Sequence, residues 1–330
     1  MSRIVFAILA HEHLTVIEHT IANIRQTCPN SDVIIFNGGR DDRWLQGASV
    51  PVAARSKPVR WGALVEVAYE LMLELRPRSD YDALVVFDCD MMIIKSGYEQ
   101  ALESILQNFA YIAYDFSAYG HQAEKEPART VTYHWAKWWS KLLECPTPYV
   151  VLNPGQVFRR DLCEYLADDP RTSSIIQTLR RFWTFAAEEV VWPTLAVSRG
   201  FPATANPGYH GVEARTFSPC ELTLLWSDPS VYCIHKVGMR LDSADRQAIS
   251  KLALHGASGD ELRHAAGQRA GLQVPFFTHT ERLRRLASST VLELKSVLRG
   301  RPAAVKSKRV KAAGPHSWIT WLVLLTGFPV

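Results

Sequence analysis

The chain has 330 residues, which is enough for one large α/β domain or two smaller ones. Hydrophobic residues make up 47% and charged residues 21%, an ordinary composition for a soluble globular protein. The net charge of +4 is uneven, because residues 281–311 hold ten Lys/Arg against two Glu and leave −4 for the rest, and a slightly acidic body argues against a nucleic-acid-binding core.

Apolar runs of strand length alternate with helical periodicities along the first third of the chain. Such a βαβαβ succession predicts a parallel sheet with right-handed crossovers, and the ligands of these sheets lie beyond the carboxyl ends of the strands. The predicted strands are Ile4–Ala10, Asp32–Phe36 and Leu84–Phe87, and the predicted helices are Leu14–Arg25 and Gly62–Leu75. The loops after all three strands open on that one edge of the sheet.

Two aspartates, Asp88 and Asp90, follow the third predicted strand, and apolar residues come directly after them. Carboxylates in such a setting are costly to bury unless they are paired or bind a cation. Side chains at i and i+2 of an extended segment point the same way, so both can converge on one hard cation that grips a diphosphate. The alternative is a strand end whose aspartates cap the next turn.

Two later segments also predict strands that carry polar groups. Residues 149–158 predict a strand, a tight turn at Asn153-Pro154-Gly155 and a second strand. Residues 231–236 predict a strand that ends in His235 and Lys236, where the imidazole can be a third ligand for a manganese-like metal and the ammonium can neutralise phosphate. A lone histidine at a strand end is more often structural, and it gains weight here from the metal already inferred.

Two adjacent carboxylates, Glu188 and Glu189, open a predicted apolar helix within residues 186–195. The dipole at a helix N-terminus favours their ionised form, and an ionised carboxylate near a reactive centre can act as a general base. The alternative is a charged first helical turn that faces solvent.

The segment from residue 281 onwards differs in character from the body. It reads as a basic amphipathic helix to Leu298, a Pro/Ala/Lys linker and an apolar end. We therefore divide the chain into a catalytic body, residues 1–280, and a tail, residues 281–330. The tail's charge and its tryptophans predict peripheral attachment to an anionic membrane surface, and the alternative is a tail that packs on the body.

Taken together and in order, these motifs resemble the GT-A glycosyltransferases, which transfer a sugar from a nucleotide donor. The resemblance implies a Rossmann-like, mixed and mostly parallel sheet flanked by helices, with the basic helical tail added at the C-terminus. It also implies that residues 4–13, with Ala10 and His11, hold the base. Further implied roles are ribose and metal binding for Asp88-Cys89-Asp90, sugar contacts for Asn153 and Gly155, metal binding for His235 and the base of an inverting reaction for Glu189 or Glu188.

The chain departs from the commonest pattern of the family after the second strand. Many members place an acidic residue there to contact the base, whereas this chain has Asn37-Gly38-Gly39. Arg60 and Trp61 loosely resemble a stretch that contacts phosphate or base. The resemblance implies Mn2+ or Mg2+ as cofactor, a nucleotide-diphosphate sugar as donor and a carbohydrate or lipid-linked acceptor.

Two other functions remain open from the sequence. A haloacid-dehalogenase-type phosphohydrolase also places Asp-x-Asp after an apolar strand, although small residues usually follow the second aspartate and this chain has Met91-Met92. A nucleotide-binding scaffold without activity is the other. The six cysteines form no C-x-x-C pair, which favours free thiols in a reducing cytoplasm, and we expect the protein there.

Overall fold

The computed structural model describes residues 3–271, apart from residues 12, 42, 60–63, 119–130, 132–133, 182–183, 185, 207 and 213–216. The predictions for Arg60, Trp61 and the tail, residues 281–330, lie outside the described residues. Within the described residues, no helix is long and apolar enough to cross a membrane.

The first third of the chain folds as the predicted βαβαβ unit. Strand β1 spans Ile4–Ala10, helix α1 Leu14–Thr27, strand β2 Asp32–Asn37, helix α2 Val65–Leu75 and strand β3 Ala83–Asp88. Strand β1 pairs in parallel with β2 on one side and β3 on the other, and all its residues are buried. An apolar strand with neighbours on both sides is typical of a parallel sheet covered by helices on both faces.

The large sheet continues beyond β3 with later strands, in the order β2-β1-β3-β6-β5-β7. Strand β5 spans Tyr111–Ala118, β6 Tyr149–Arg159 and β7 Ala203–Ala205. Only β6 runs against the others among these six strands, because it pairs antiparallel with both β3 and β5. The predicted mixed, mostly parallel sheet flanked by helices is therefore confirmed.

The predicted turn at Asn153-Pro154-Gly155 was wrong, because the structure has one continuous strand through these residues. The pairing register with β5 jumps from Val157 to Leu152, so the intervening residues form an irregularity. Gly155 takes a φ of 74°, a left-handed conformation open to glycine, and Pro154 has no N–H to offer a neighbour. Pro and Gly mark a bulge here instead of a reversal of the chain.

A second, small sheet lies beside the carboxyl end of β3. It contains β4 (Met91–Ile93), β8 (Tyr209–Val212) and β9 (Cys233–His235) in the order β4-β9-β8. Strands β4 and β9 have three residues each, and Met91 lies opposite His235 in their antiparallel pairing. The small sheet therefore brings His235 at the end of β9 close to the two aspartates.

The remaining helices cover the two sheets. They are α3 (Tyr98–Leu106), a π turn (Trp135–Trp139) that leads into α4 (Ser140–Leu142), α5 (Arg160–Asp168), α6 (Pro170–Arg181), α7 (Glu188–Ser198), α8 (Pro219–Ser227), α9 (Ala244–His255) and α10 (Gly259–Gly271). Helices α2 and α7 pack on one face of the large sheet, and α1 and α3 pack on the other. The small sheet has its own apolar core under α8 and α9.

Candidate metal and donor site

Three side chains that can bind a metal meet where the two sheets join. Asp88 ends β3, Asp90 lies in the two-residue step to β4, and His235 ends β9. One ligand atom from each of the three lies within 4.8 Å of the others. The residues predicted as ligands are thus adjacent in space, although the histidine is far from the aspartates in sequence.

The charges in this cluster are coupled through short contacts. His235 Nε2 lies 3.2 Å from Asp90 Oδ1. Burial opposes ionisation of Asp90, but the hydrogen bond from His235 and the charges of His235, Lys236 and His11 lower the pKa of this carboxyl below its usual value. Burial and the neighbouring Asp90 together raise the pKa of Asp88, against a smaller opposing effect of His235. The protein alone therefore stabilises one negative charge here much better than two.

The cluster fits a divalent cation by its unpaired atoms and its donor types. Among the described residues, buried Asp88 Oδ1 and buried His235 Nδ1 have no hydrogen-bond partner. Buried polar atoms are nearly always paired, so an orphaned oxygen beside a second carboxylate points to a missing positive partner. Two carboxylates and an imidazole are suitable ligands for Mn2+, and carboxylates also suit Mg2+.

The loops after β1 and β2 form one side of this edge. The Gly38 N–H donates to the Ala10 carbonyl at 2.9 Å, which ties the two loops together. The exposed His11 ring lies 3.6 Å from the Sγ atom of Cys89, the residue between the two aspartates in sequence. Asn37 is buried and its Oδ1 accepts from the Gly39 N–H at 2.9 Å, so this side chain shapes its own loop. His11 is therefore placed beside the aspartates, whereas the Asn37 side chain is directed into its loop.

The predicted carboxylates Glu188 and Glu189 do open α7, and both are buried. Glu188 Oε2 accepts from the Leu64 N–H at 3.2 Å, and Glu189 Oε1 accepts from the Asn153 N–H at 3.2 Å. Burial raises the pKa of Glu188 to about 8, to which the negative charge of Asp88 adds, while backbone N–H groups oppose the shift. A charged first turn in solvent, the alternative from the sequence, is excluded by this burial.

A small cavity lies between this helix start and Asp88. Asp88, Asn153, Gln156 and Glu188 contribute polar groups to its lining. Gln156 Nε2 donates to Asn153 Oδ1 at 3.0 Å, and Gln156 Oε1 accepts from Tyr111 Oη at 2.8 Å. Asn153 is thereby fixed through its side chain, and the irregularity in β6 lies between the candidate base and the candidate metal ligand. Gly155 is buried within the irregularity, and Lys236 is exposed next to His235.

Several residues at the site were missed from the sequence. Asn23 of α1 exchanges two 2.8 Å hydrogen bonds with the backbone of Ile93 in β4. Arg246 of α9 is completely buried and donates to the carbonyl of Cys89 at 3.3 Å. A signal existed for Asn23, since Thr20, Asn23 and Thr27 are polar at positions that helical spacing places on the buried face of α1. A weaker signal of the same kind existed for Arg246, which lies three residues before Ile249 on the buried face of α9.

Comparison with known proteins gives limited similarity. No family model matches the chain, and no curated protein matches it. Among solved structures, galactosyltransferase LgtC, in complex with donor and acceptor sugar analogues, is similar with 11% identity and a TM-score of 0.40 over 80% of this chain and 99% of that one. Core-mannan synthase A from Aspergillus fumigatus, in a Mn/GDP form, is similar with 9% identity and a TM-score of 0.34 over 62% of this chain and 72% of that one. Similarity at this level carries no function, so the function depends on the site geometry.

Proposed function

We propose that the protein is a metal-dependent glycosyltransferase that takes its sugar from a nucleotide-diphosphate donor. The observation that carries the proposal is the convergence of Asp88, Asp90 and His235 at the carboxyl edge of a mostly parallel sheet. This edge is where nucleotides bind in open α/β sheets. The order of the sequence motifs supports a sugar donor over other nucleotides.

The roles of individual residues follow from their positions. Asp90 and His235 would hold Mn2+ or Mg2+ together with Asp88, and the bound cation supplies stabilisation of the negative charge on a diphosphate leaving group. The exposed Lys236 adds a positive charge beside this edge. We assign nucleoside binding to the segment around Ala10, His11 and Cys89, where the exposed His11 ring lies beside Cys89.

We propose Glu189 as the general base that takes the proton of the acceptor hydroxyl, with Glu188 as the alternative. A base must be ionised at the working pH. Because the pKa of Glu188 is raised to about 8, this carboxyl is mostly protonated at neutral pH and is poorly suited to accept a proton. This argues against Glu188 as the ionised base. With Glu189 as the base the reaction would be inverting, and the acceptor oxygen would attack the anomeric carbon opposite the leaving diphosphate.

The deciding experiment is a thermal-shift screen of nucleoside diphosphates with and without Mn2+, followed by nucleotide-sugar turnover with the donor class it identifies. We expect stabilisation by one diphosphate only when Mn2+ is present, and release of that diphosphate from its sugar donor. Absence of stabilisation by every diphosphate, with Mn2+ present, would reject the proposal. Release of inorganic phosphate from sugar phosphates would instead indicate the phosphohydrolase, which needs Asp88 as an ionised nucleophile although its pKa is raised.

We further propose that residues 281–330 attach the enzyme to an anionic membrane surface. The support is the charge of +8 over residues 281–311, since each basic residue near such a surface contributes about 1 kcal/mol. The test is flotation with anionic liposomes, which compares the full chain with a chain that ends at Thr280. Equal flotation of the two, or none for the full chain, would remove the membrane role and leave the transferase proposal intact.

A further inference from the structure

Arg246 is a completely buried arginine beside the metal cluster that the proposed chemistry does not use. Its guanidinium donates to the Gly238 carbonyl at 2.9 Å, His19 Nδ1 at 3.1 Å, Thr20 Oγ1 at 3.2 Å and the Cys89 carbonyl at 3.3 Å. Within the described part of the chain, no carboxylate oxygen lies within 4.0 Å of it. Burying a cation without a paired anion is costly, and in this protein four neutral acceptors solvate the guanidinium instead.

Two of these acceptors belong to the two segments that carry the metal ligands. Cys89 lies between Asp88 and Asp90, and Gly238 lies three residues after His235. One rigid, planar guanidinium therefore bonds to both segments at once. The segments also contact each other directly, because the Val237 N–H donates to the Asp90 carbonyl at 2.8 Å.

The preceding residue, Asp245, strengthens the hold on the second segment. Asp245 Oδ2 accepts from the Gly238 N–H at 2.7 Å, so helix α9 binds both backbone groups of Gly238. A Cβ on Gly238 would lie 2.6 Å from Ser243 Oγ, which leaves no room for a side chain at this position. The segment after His235 is thus pressed closely against the start of α9.

Helix α1 fixes the guanidinium from the other side. Arginine can only donate, so His19 Nδ1 must be an acceptor and its Nε2–H donates to Ser250 Oγ, 3.1 Å away. Burial, and then the charge of Arg246, lower the pKa of His19, which keeps the ring in this neutral form. Thr20 Oγ1 accepts from Arg246 and lies 3.5 Å from the Cys89 carbonyl. The arginine is therefore held in one orientation by α1.

We propose that Arg246 is a positioning residue of the metal site, which holds the Asp88–Asp90 segment and the His235–Gly238 segment at the separation where their three ligands converge. It acts through the backbone and touches neither the cation nor the substrate. The inference rests on the proposed metal site.

The charge of Arg246 and its geometry have opposite effects on cation binding, and this makes the inference testable. The positive charge of Arg246 interacts electrostatically with Asp90, so it also repels a cation bound at Asp90. The hydrogen bonds hold the ligands in place and favour the cation. Removing only the charge would therefore tighten cation binding if the arginine had no positioning role, whereas losing the bonds weakens it.

The experiment is a Mn2+ titration of the protein, followed by electron paramagnetic resonance, for wild type, Arg246→Lys and Arg246→Met. Lysine keeps the positive charge but loses the planar set of guanidinium N–H donors, and methionine loses both. We expect both variants to bind Mn2+ about 10- to 100-fold more weakly, which is the usual loss when a residue that orients metal ligands is changed. A broader spectrum of the bound Mn2+ should report a less uniform ligand geometry.

The matched control is Arg199→Lys, because Arg199 is also largely buried but pairs with Glu144 and Asp169 away from the cluster. This control should lose stability and keep the wild-type Mn2+ affinity. If the Arg246 variants fail to fold, Thr20→Val replaces them, since it removes an acceptor of the guanidinium and leaves every ligand in place.

The outcomes separate the two proposals. Wild-type protein that binds no Mn2+ would overturn the metal site and this inference with it. Wild type that binds Mn2+, with Arg246→Lys and Arg246→Met within twofold of it or tighter, would overturn the positioning role alone. Weaker binding in the Arg199 control to the same degree would also overturn it, because any buried arginine would then have the same effect.

Discussion

Both sheets are buried among apolar side chains, but the small sheet depends in addition on polar contacts to its surroundings. Strands β1, β2 and β3 of the large sheet have six or seven residues each, are joined by regular parallel ladders and are almost entirely buried among apolar side chains. Strands β4 and β9 of the small sheet have three residues each. The small sheet is fixed to its surroundings by side chains that bond to backbone, from Asn23 on β4 and from Arg246 on both flanking segments.

The large sheet therefore contributes mainly to stability, whereas the small sheet determines the position of His235. Long buried strands give stability through many small apolar contacts, and no single side chain decides their position. Three-residue strands make few ladder bonds, so a few polar contacts decide where His235 lies. Because the candidate ligands straddle the boundary, cation affinity should respond to polar contacts of the small sheet far more than to packing in the large one.

The largest effect should come from the ligands at this boundary. We expect Asp90→Ala to abolish Mn2+ binding and transfer, because it removes a ligand and a negative charge together, while His235→Ala removes only a neutral ligand and should be the milder change. Mn2+ titration and nucleotide-sugar turnover measure both effects, and circular dichroism checks the fold. Wild-type-like turnover in Asp90→Ala would remove the metal site.

The next effect concerns the carboxylates that open α7. Glu189→Gln should retain donor binding and lose about 10²–10⁴-fold in transfer rate, the usual contribution of a general base. Glu188→Gln is the matched variant, since both side chains are buried and both accept from backbone N–H groups. Rates measured at saturating donor distinguish them, and near-normal transfer by both variants would exclude this pair as the source of the base.

Glu188 should also make stability depend on pH. Its folded-state pKa of about 8 lies above the ordinary value of 4.5, so its contribution to stability is complete below pH 4.5 and is lost as the pH rises through 8. The Glu188→Gln variant cannot ionise at this position, so it escapes this loss. Between pH 4.5 and pH 8 the free energy of unfolding of wild type should therefore fall, relative to that of the variant, by up to about 4 kcal/mol. Urea unfolding in the presence of a chelator measures this gap, and a gap that stays constant with pH contradicts the raised pKa.

The smallest effect tests the two sheets directly with one substitution in each. Ile8 of β1 and Ile234 of β9 are both fully buried, and replacing either with alanine should cost about 2–5 kcal/mol of stability. We expect Ile8→Ala to keep the wild-type Mn2+ affinity and Ile234→Ala to weaken it severalfold, because Ile234 adjoins His235 in a three-residue strand. An equal change in affinity for both would show that the sheets do not differ in this respect.

The sequence was sufficient for the parts of the molecule that depend on local pattern. The strands around Ile4–Ala10 and Ala83–Asp88 were predicted because continuous apolar runs flanked by turn signals are typical of buried parallel strands. The grouping of Asp88, Asp90 and His235 was predicted from their positions at strand ends and from the order of the motifs. The reason was only partly right, because β9 belongs to the small sheet and reaches the aspartates by pairing antiparallel with β4.

The parts that were missed depend on contacts between distant segments. Asn153-Pro154-Gly155 was interpreted as a turn because Pro and Gly mark both turns and bulges, and only the pairing with β5 distinguishes them. Ile249 and Leu252 mark the buried face of α9, and Arg246 lies beside that face. The contacts of Arg246 with α1 and the aspartate segment depend on how α9 packs, which the sequence of α9 alone does not specify.

The separation of the two aspartates from the histidine along the chain has a consequence for biosynthesis. Strands β1, β2 and β3 leave the ribosome first, and at typical elongation rates the histidine follows on the order of ten seconds later. A nascent chain thus displays two carboxylates without their third partner, and a pair alone is a poor cation trap. Cation binding in the proposed holoenzyme would therefore come late, and by mass action it would stabilise only chains in which β9 has joined the small sheet.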